Sequence, residues 1–357
     1  MVFGFGKRRP DKSFKQRVTE FWQWYPQVAE RFFQTIERGQ CESLAKEVGD
    51  FMDRTLPGLA WVFGPGEQGG HSFTVSGEGV VAKQLLAEYW PSRATELPHW
   101  TFYASRQPCS PEDLKAISIR LGEHESVDAE HFLIQPKVNA DAQLIDIIAW
   151  HPAWESITED DQHQILFLLL DEALGEFGTE TWLGDIKVEP FTAGQGTVTL
   201  AALPDKIQQI NNYYRWKKLP PLRAYSVYEL KEQTDTARGD TLVGSTCISE
   251  VVSEFLHNEG KLEEDPLQGT GAEFAYLAID SSVFPDGKQA DVRGKIEDAV
   301  GGALAKRESG RTLGGAFGLR QSYIDLLFFD GSNSRQVVET ALEGLQLRGK
   351  SQVLSFV

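Results

Sequence analysis

Cysteine is scarce in this sequence. Cys41, Cys109 and Cys247 lie far apart and no CxxC occurs. That argues against a disulfide framework or a zinc knuckle and fits a reducing compartment, so a cytoplasmic location is expected. Apolar runs of the roughly 18 residues needed to cross a membrane are missing too. The opening stretch MVFGFGKRRPDKSFK has no apolar core after its basic residues and does not read as a secretory signal. GxxxxGK, GxSxG and HExxH are all lacking, since His124-Glu125 has no second His behind it. Nucleotide, serine-nucleophile and zinc-protease chemistry therefore have no signature here. No cofactor and no metal is expected.

Positive charge is in short supply: 35 Lys and Arg face 52 Asp and Glu, a net −17. Such a chain repels phosphate backbones, so general nucleic-acid binding is not expected. The shortage is uneven. Lys7, Arg8, Arg9, Lys12, Lys15 and Arg17 against Asp11 make the first 17 residues +5 and leave −22 for the rest. A basic tail over 1–12 reads as a solvated terminus.

What is present is a globular composition, 41% apolar and 24% charged over 357 residues, enough for several domains. From Ser13 to Gly39, Phe21, Trp24 or Tyr25, Val28, Phe32 and Ile36 recur at helical steps, and Pro26 predicts a kink or break. A second helix spans Glu42–Thr55. Strands at Leu59–Phe63 and Ser72–Ser76 and a helix at Val80–Trp90 complete an N-terminal unit over 13–97.

Two stretches then carry the same order, β-α-β-β-α-β. In 98–190 it runs from the strand His99–Arg106 through a helix capped by Ser110 and a hairpin His131–Val138 with Gln143–Trp150. A helix capped by Thr158 and the strand Thr181–Val188 close it. In 272–357 it runs from EFAYLAID (Glu273–Asp280) through a helix Ala290–Lys306 and a hairpin Arg311–Arg320 with Ser322–Asp330. A helix Ser334–Leu345 and the strand Ser351–Val357 follow. Ile145-Asp146 and Ile324-Asp325 occupy matching places, which suggests an internal duplication. The expected fold is α+β: two tandem ferredoxin-like modules behind N-terminal helices and a hairpin. Residues 191–271 read as a connector with a helix at Pro204–Tyr214, a strand at Leu222–Leu230 and a helix at Ser249–His257.

Strand alternation assigns faces in the last module. Ala275, Leu277, Ile279, Ile324, Leu326 and Phe328 suit the helix-covered side. Phe274, Tyr276, Tyr323 and Phe329 surround Asp325 on the other. RNA-recognition modules stack bases on such a face, but 272–357 holds ten cations against eleven carboxylates, so burial against another domain is expected. On this reading Asp325→Leu preserves the fold.

Candidate chemistry is thin. His151 beside Asp146, with Asp325 across an inter-module cleft, is the catalytic candidate, His151 as general base. Arg311, Gly314, Gly315, Arg320 and Tyr323 are the ligand-binding candidates, because strand glycines admit a close neighbour and the arginines flank them. Arg238-Gly239-Asp240 reads as a turn. The expected role is noncatalytic: a regulatory, scaffold or ligand-sensing protein, with a protein partner or second copy at a sheet edge. The uncharged Ser351–Val357 edge invites that partner. An enzyme acting near Asp146, His151 and Asp325 is the alternative.

Overall fold

A computed structural model describes residues 12–67, 69–121, 125–190, 194 and 196–357. Most of the basic tail lies outside them. The fold is mixed α+β with several small sheets.

Helix α1 (Phe14–Glu37) starts in a capping box between Ser13 and Gln16. Phe14, Val18, Phe21, Trp22, Tyr25, Ala29 and Phe32 form its buried stripe. The helix runs through Pro26 unbroken, contrary to the expected break. Aromatic anchors on both flanking turns offset the backbone bond that proline removes. Helix α2 (Ala45–Thr55) packs beside it, with Trp24 stacked on Phe51 at 3.8 Å. Strands β1 (Ala60–Pro65) and β2 (His71–Ser76) pair antiparallel, and helix α3 (Val81–Tyr89) follows. Strand β3 (Trp100–Tyr103) then pairs in parallel with β2. It was expected to open the first module. Its aromatics instead join the N-terminal core, Phe102 against Trp22 at 4.7 Å and Trp100 against Tyr25 at 5.3 Å.

Without that strand, 98–190 cannot close as expected. Helix α4 (Pro111–Ala116) is capped by Ser110 as read, and is followed by a two-stranded ladder of β4 (Ser118–Leu121) and β5 (Glu125–Asp128). The hairpin of β6 (Leu133–Asn139) and β7 (Leu144–Trp150) forms as expected. Helix α5 (Glu159–Leu174), capped by Thr158, and α6 (Glu176–Trp182) lead to β8 (Leu183–Val188). Strand β8 lies parallel beside β7, and β9 (Val198–Thr199) pairs with β6, giving the order β8-β7-β6-β9. Ile145, Ile147 and Ala149 face a core with Ile165, Leu166, Leu169 and Leu170. Leu144, Asp146, Ile148 and Trp150 stay half-exposed.

The connector is no separate layer. After helix α7 (Leu203–Tyr214) it supplies β10 (Ser226–Glu229), β11 (Thr241–Thr246) and helix α8 (Ser249–His257). Its two strands extend the last sheet. That sheet contains β12 (Glu273–Asp280), β13 (Gly310–Gly318), β14 (Gln321–Phe328) and β15 (Ser351–Ser355), with helices α9 (Gln289–Lys306) and α10 (Ser332–Gly344) in the crossovers. Its order is β10-β11-β13-β14-β12-β15, every neighbour antiparallel. Strand β13 is therefore interior, between β11 and β14. Gly314 sits at its bulge with φ +123°, and a Cβ there would lie 2.1 Å from the Ser245 carbonyl of β11. The glycines admit a neighbouring strand.

Both faces are assigned as expected. Ala275, Leu277, Ile279, Ile324, Leu326 and Phe328 lie beneath α9 and α10 against Ile296, Val300, Leu304, Val338 and Leu342. Phe274, Tyr276, Tyr323 and Phe329 share a core with α1, α3 and α8. Phe14 meets Phe329 at 6.1 Å, and Phe255 meets Tyr276 at 5.8 Å. At roughly 25 cal/mol per Å² and about 150 Å² or more for each aromatic, that face contributes on the order of 15 kcal/mol before entropy. The aromatic face is buried against the N-terminal unit rather than left open.

Candidate functional site

The loop between β10 and β11 folds back over the aromatic face of the last sheet. It is mostly exposed from Lys231 to Ala237, then buries Arg238, Gly239 and Asp240 in succession. Arg238 takes a left-handed backbone, φ +60°, which aims its side chain inward. Its guanidinium is fully buried. Nη1 donates to Asp325 Oδ1 at 2.6 Å and Nη2 to the Tyr228 hydroxyl at 3.0 Å. Tyr276, Tyr323 and Phe356 present their rings to Cζ at 5.3, 5.0 and 5.4 Å, a cation in an aromatic cage.

Asp240 completes the arrangement. One oxygen accepts the Tyr323 hydroxyl, and the other accepts the backbone N–H of Arg320 at 2.7 Å and of Gln321 at 3.1 Å. Asp240 thereby clamps the β13–β14 turn. Burial and the Asp240 carboxylate push the Tyr323 phenol up, and burial pushes Tyr228 up to about 12. Burial opposes the Arg238 charge, but Asp325 and Tyr228 outweigh it, and the pKa ends raised. Two polar atoms in this centre have no protein partner, Arg238 Nε and Asp325 Oδ2. A hollow of about 400 Å³ opens beside the arginine, bordered by Arg238, Asp240, Tyr276, Arg320 and Tyr323, and Asp325 lies behind it rather than in its wall.

Of the five ligand candidates, the fold brings only Arg320 and Tyr323 to this hollow. Gly314 and Gly315 serve strand packing, Gly315 lying against the Tyr323 carbonyl. Arg311 leaves the sheet to pair with Glu88 of α3. The three catalytic candidates do not converge. Asp146 is on the half-exposed face of the middle sheet and accepts the Asp185 N–H at 2.9 Å. It borders a different hollow, of about 400 Å³, with Lys137, Asp185 and Lys187. It also steadies the β7–β8 irregularity, where a Cβ at Gly184 would lie 2.2 Å from its oxygen.

His151 is buried at the end of the same strand. Its Nδ1 accepts from the Ala153 N–H at 3.1 Å and its Nε2 faces the Asp128 carbonyl at 3.1 Å. Both ring nitrogens are occupied by main chain, and burial lowers the pKa. That is a capping histidine. Asp325 faces Arg238 in another sheet. Asp146 and Asp325 are also not equivalent: β7 has a parallel neighbour in β8, whereas β14 lies antiparallel between β13 and β12.

Arg238 and Asp240 escaped sequence reasoning because an Arg-Gly-Asp triplet in an acidic loop has the composition of a turn. Nothing in its spacing points to a partner 87 residues away. Burial pushes Cys247 and Cys109 up to about 11, Cys247 despite nearby Arg311. Cys41 is raised as well, by burial and Glu42. Nucleophilic thiolates are disfavoured at all three. Among the described residues no three His, Cys, Asp or Glu side chains gather as a metal site, and no helix is long and apolar enough to cross a membrane. Comparison with protein-family models, curated proteins and solved structures found no match.

Proposed function

We propose that this chain works by binding, as a noncatalytic regulatory, scaffold or ligand-sensing protein of the cytoplasm. The last unit is a ferredoxin-like module extended by β10 and β11, and the Arg238 loop is its responsive element. One observation carries the reading. A fully buried, incompletely satisfied ion pair, Arg238–Asp325, joins an otherwise exposed loop to the sheet beside an open hollow. A small molecule entering the hollow gains polar partners there and fixes the loop in its closed position. The raised thiols and the main-chain-bound His151 favour binding over catalysis.

Edges supply the scaffold half. Strand β10 presents an open edge with Val227 73% exposed. At the other end of the sheet the outer side of β15 pairs with no strand among the described residues, though Arg335 reaches the Val353 carbonyl at 3.4 Å. A protein partner or a second copy adds a strand at such an edge.

A thermal-shift screen of a metabolite library on the full chain tests the sensing half. The expected result is a ligand that raises Tm in the wild type and less in Arg320→Ala, whose side chain is exposed and pairs only with the exposed Asp235 among the described residues. No shift with any compound would overturn it. So would turnover of a library member that Arg320→Ala leaves intact and Asp146→Asn abolishes.

A further inference from the structure

The C-terminal end of α7 and the segment after it stand apart from the rest of this acidic chain. Between Asp205 and Glu229 the sequence has no carboxylate and five cations, Lys206, Arg215, Lys217, Lys218 and Arg223, although in space Lys218 and Leu219 border a cavity shared with Glu180, Glu250, Glu254, Glu264 and Asp265. Tyr213 is 81% exposed, Tyr214 43% and Leu219 64%. Large apolar side chains this exposed are uncommon one by one and gather here within seven residues.

The patch is built, not frayed. Arg215 ends α7 in a left-handed conformation, φ +57°, and its N–H and that of Trp216 both return to the Asn211 carbonyl. The chain reverses, so Tyr214 stacks on Trp216 at 5.2 Å and 29°, and Tyr213 packs edge-on against Tyr214 at 4.9 Å. Trp216 is anchored on the middle core. Lys218 lies over the Trp182 ring and donates to the Thr181 carbonyl, and Arg223 pairs with Glu88. Arg215 and Lys217 are exposed and enter no ion pair among the described residues.

We infer that this patch docks an acidic segment of another protein, one that carries apolar or aromatic side chains between its carboxylates. Tyr, Trp and Arg are the residues that dominate protein–protein hot spots, and a rigid aromatic group loses little entropy on binding. The two unpaired cations stand on either side of Trp216 in the sequence and are exposed, so they are available to carboxylates of such a segment. A single strand of nucleic acid fits less well. Trp216 already covers one face of Tyr214, and two free cations neutralise too few phosphates of a continuous backbone. The inference deepens the scaffold half of the proposed function. Its assay is separate from the thermal-shift screen of the hollow, so each fails alone.

The test is fluorescence anisotropy with the full chain and a labelled copolymer of glutamate and tyrosine. Polyglutamate, a dT20 oligonucleotide and vesicles containing phosphatidylserine serve as competitors. The Glu–Tyr copolymer is expected to bind and to weaken as salt rises. Arg215→Glu with Lys217→Glu should weaken it at least tenfold, and Tyr213→Ala several-fold, with Tm unchanged in both. Tighter binding of dT20 or of the vesicles overturns the inference. So does binding that the variants leave intact. Concentration-dependent self-association of the wild type that Arg215→Glu with Lys217→Glu abolishes also overturns it, because the occupant is then a second copy.

Discussion

The middle sheet and the C-terminal sheet each contain a strand that reads Ile-Asp followed by large aliphatics, and the two aspartates meet opposite fates. Asp325 is fully buried and held by a fully buried Arg238, whose guanidinium is ringed by aromatics. Asp146 stays half-exposed and satisfies one oxygen with a backbone N–H. The alternation of each strand is the same, so local sequence does not separate them. What separates them is the layer above. Helices α1 and α8 close over β12 and β14, which removes water from Asp325 and makes a cation partner obligatory. Strand residues alone line the hollow beside Asp146, which stays half-exposed and needs no buried cation.

That contrast is sharpest in the aliphatic rows. Ile324→Asp puts an unpaired carboxylate beneath α9, where Ile324 has no exposure. A loss of about 5 kcal/mol or more is expected, enough to unfold the last unit. Ile148→Asp, on the open face of the middle sheet, should cost about 1 kcal/mol. Urea unfolding followed by circular dichroism measures both, and equal losses would sink the face assignment.

The aspartates come next in size. The expectation that Asp325→Leu preserves the fold does not survive the structure, because that change strands Arg238 in the core. We expect a loss of about 3–5 kcal/mol, against about 1 kcal/mol for Asp146→Leu. Asp325→Leu combined with Arg238→Met should return to within about 1–2 kcal/mol of the wild type, since both charges are then gone. If the double variant is as unstable as the single one, the pair is not the source of the loss.

The strands and helices of the last unit were legible because their alternation is strong: EFAYLAID and QSYIDLLFFD each separate an aliphatic row from an aromatic one. The Ser110 and Thr158 caps were legible for the same local reason. Strand β11 was not. TLVGST is short, holds a glycine and alternates weakly, and its place is set by Gly314 and Gly315, which let β13 come close. The partner of Trp100–Tyr103 was invisible too, because a parallel pairing with β2 is decided by aromatic packing on α1. Arg238 was unreadable for a deeper reason. A buried ion pair is defined by two residues far apart in sequence, and neither carries a mark of its partner.

The smallest expected effect lies at the seam between the N-terminal sheet and the middle unit, where carboxylates have no buried arginine. Glu176 accepts the Ser76 hydroxyl at 2.8 Å, the Gln84 amide at 2.9 Å, and the backbone N–H groups of Gly79 at 3.2 Å and Arg106 at 3.3 Å. Asp171 stands beside it, and burial, reinforced by Glu176, pushes its carboxyl up to about 6 from an ordinary 3.8. The folded state thus holds this proton more tightly than the unfolded chain. Its stabilising contribution is complete below the ordinary value and is lost as pH rises through about 6. Acidification from pH 7 to 5 should therefore strengthen this seam. Asp171 is only half-buried and Arg106 opposes the shift, so solvent screening reduces the gain to about 1 kcal/mol. Asp171→Asn mimics the protonated group and should be the more stable protein at pH 7 by at least that margin, with the difference much smaller at pH 4.5 and closed only below the ordinary 3.8. Urea midpoints of both proteins at the two pH values decide it. A difference that does not change with pH would show that Asp171 does not titrate in this range.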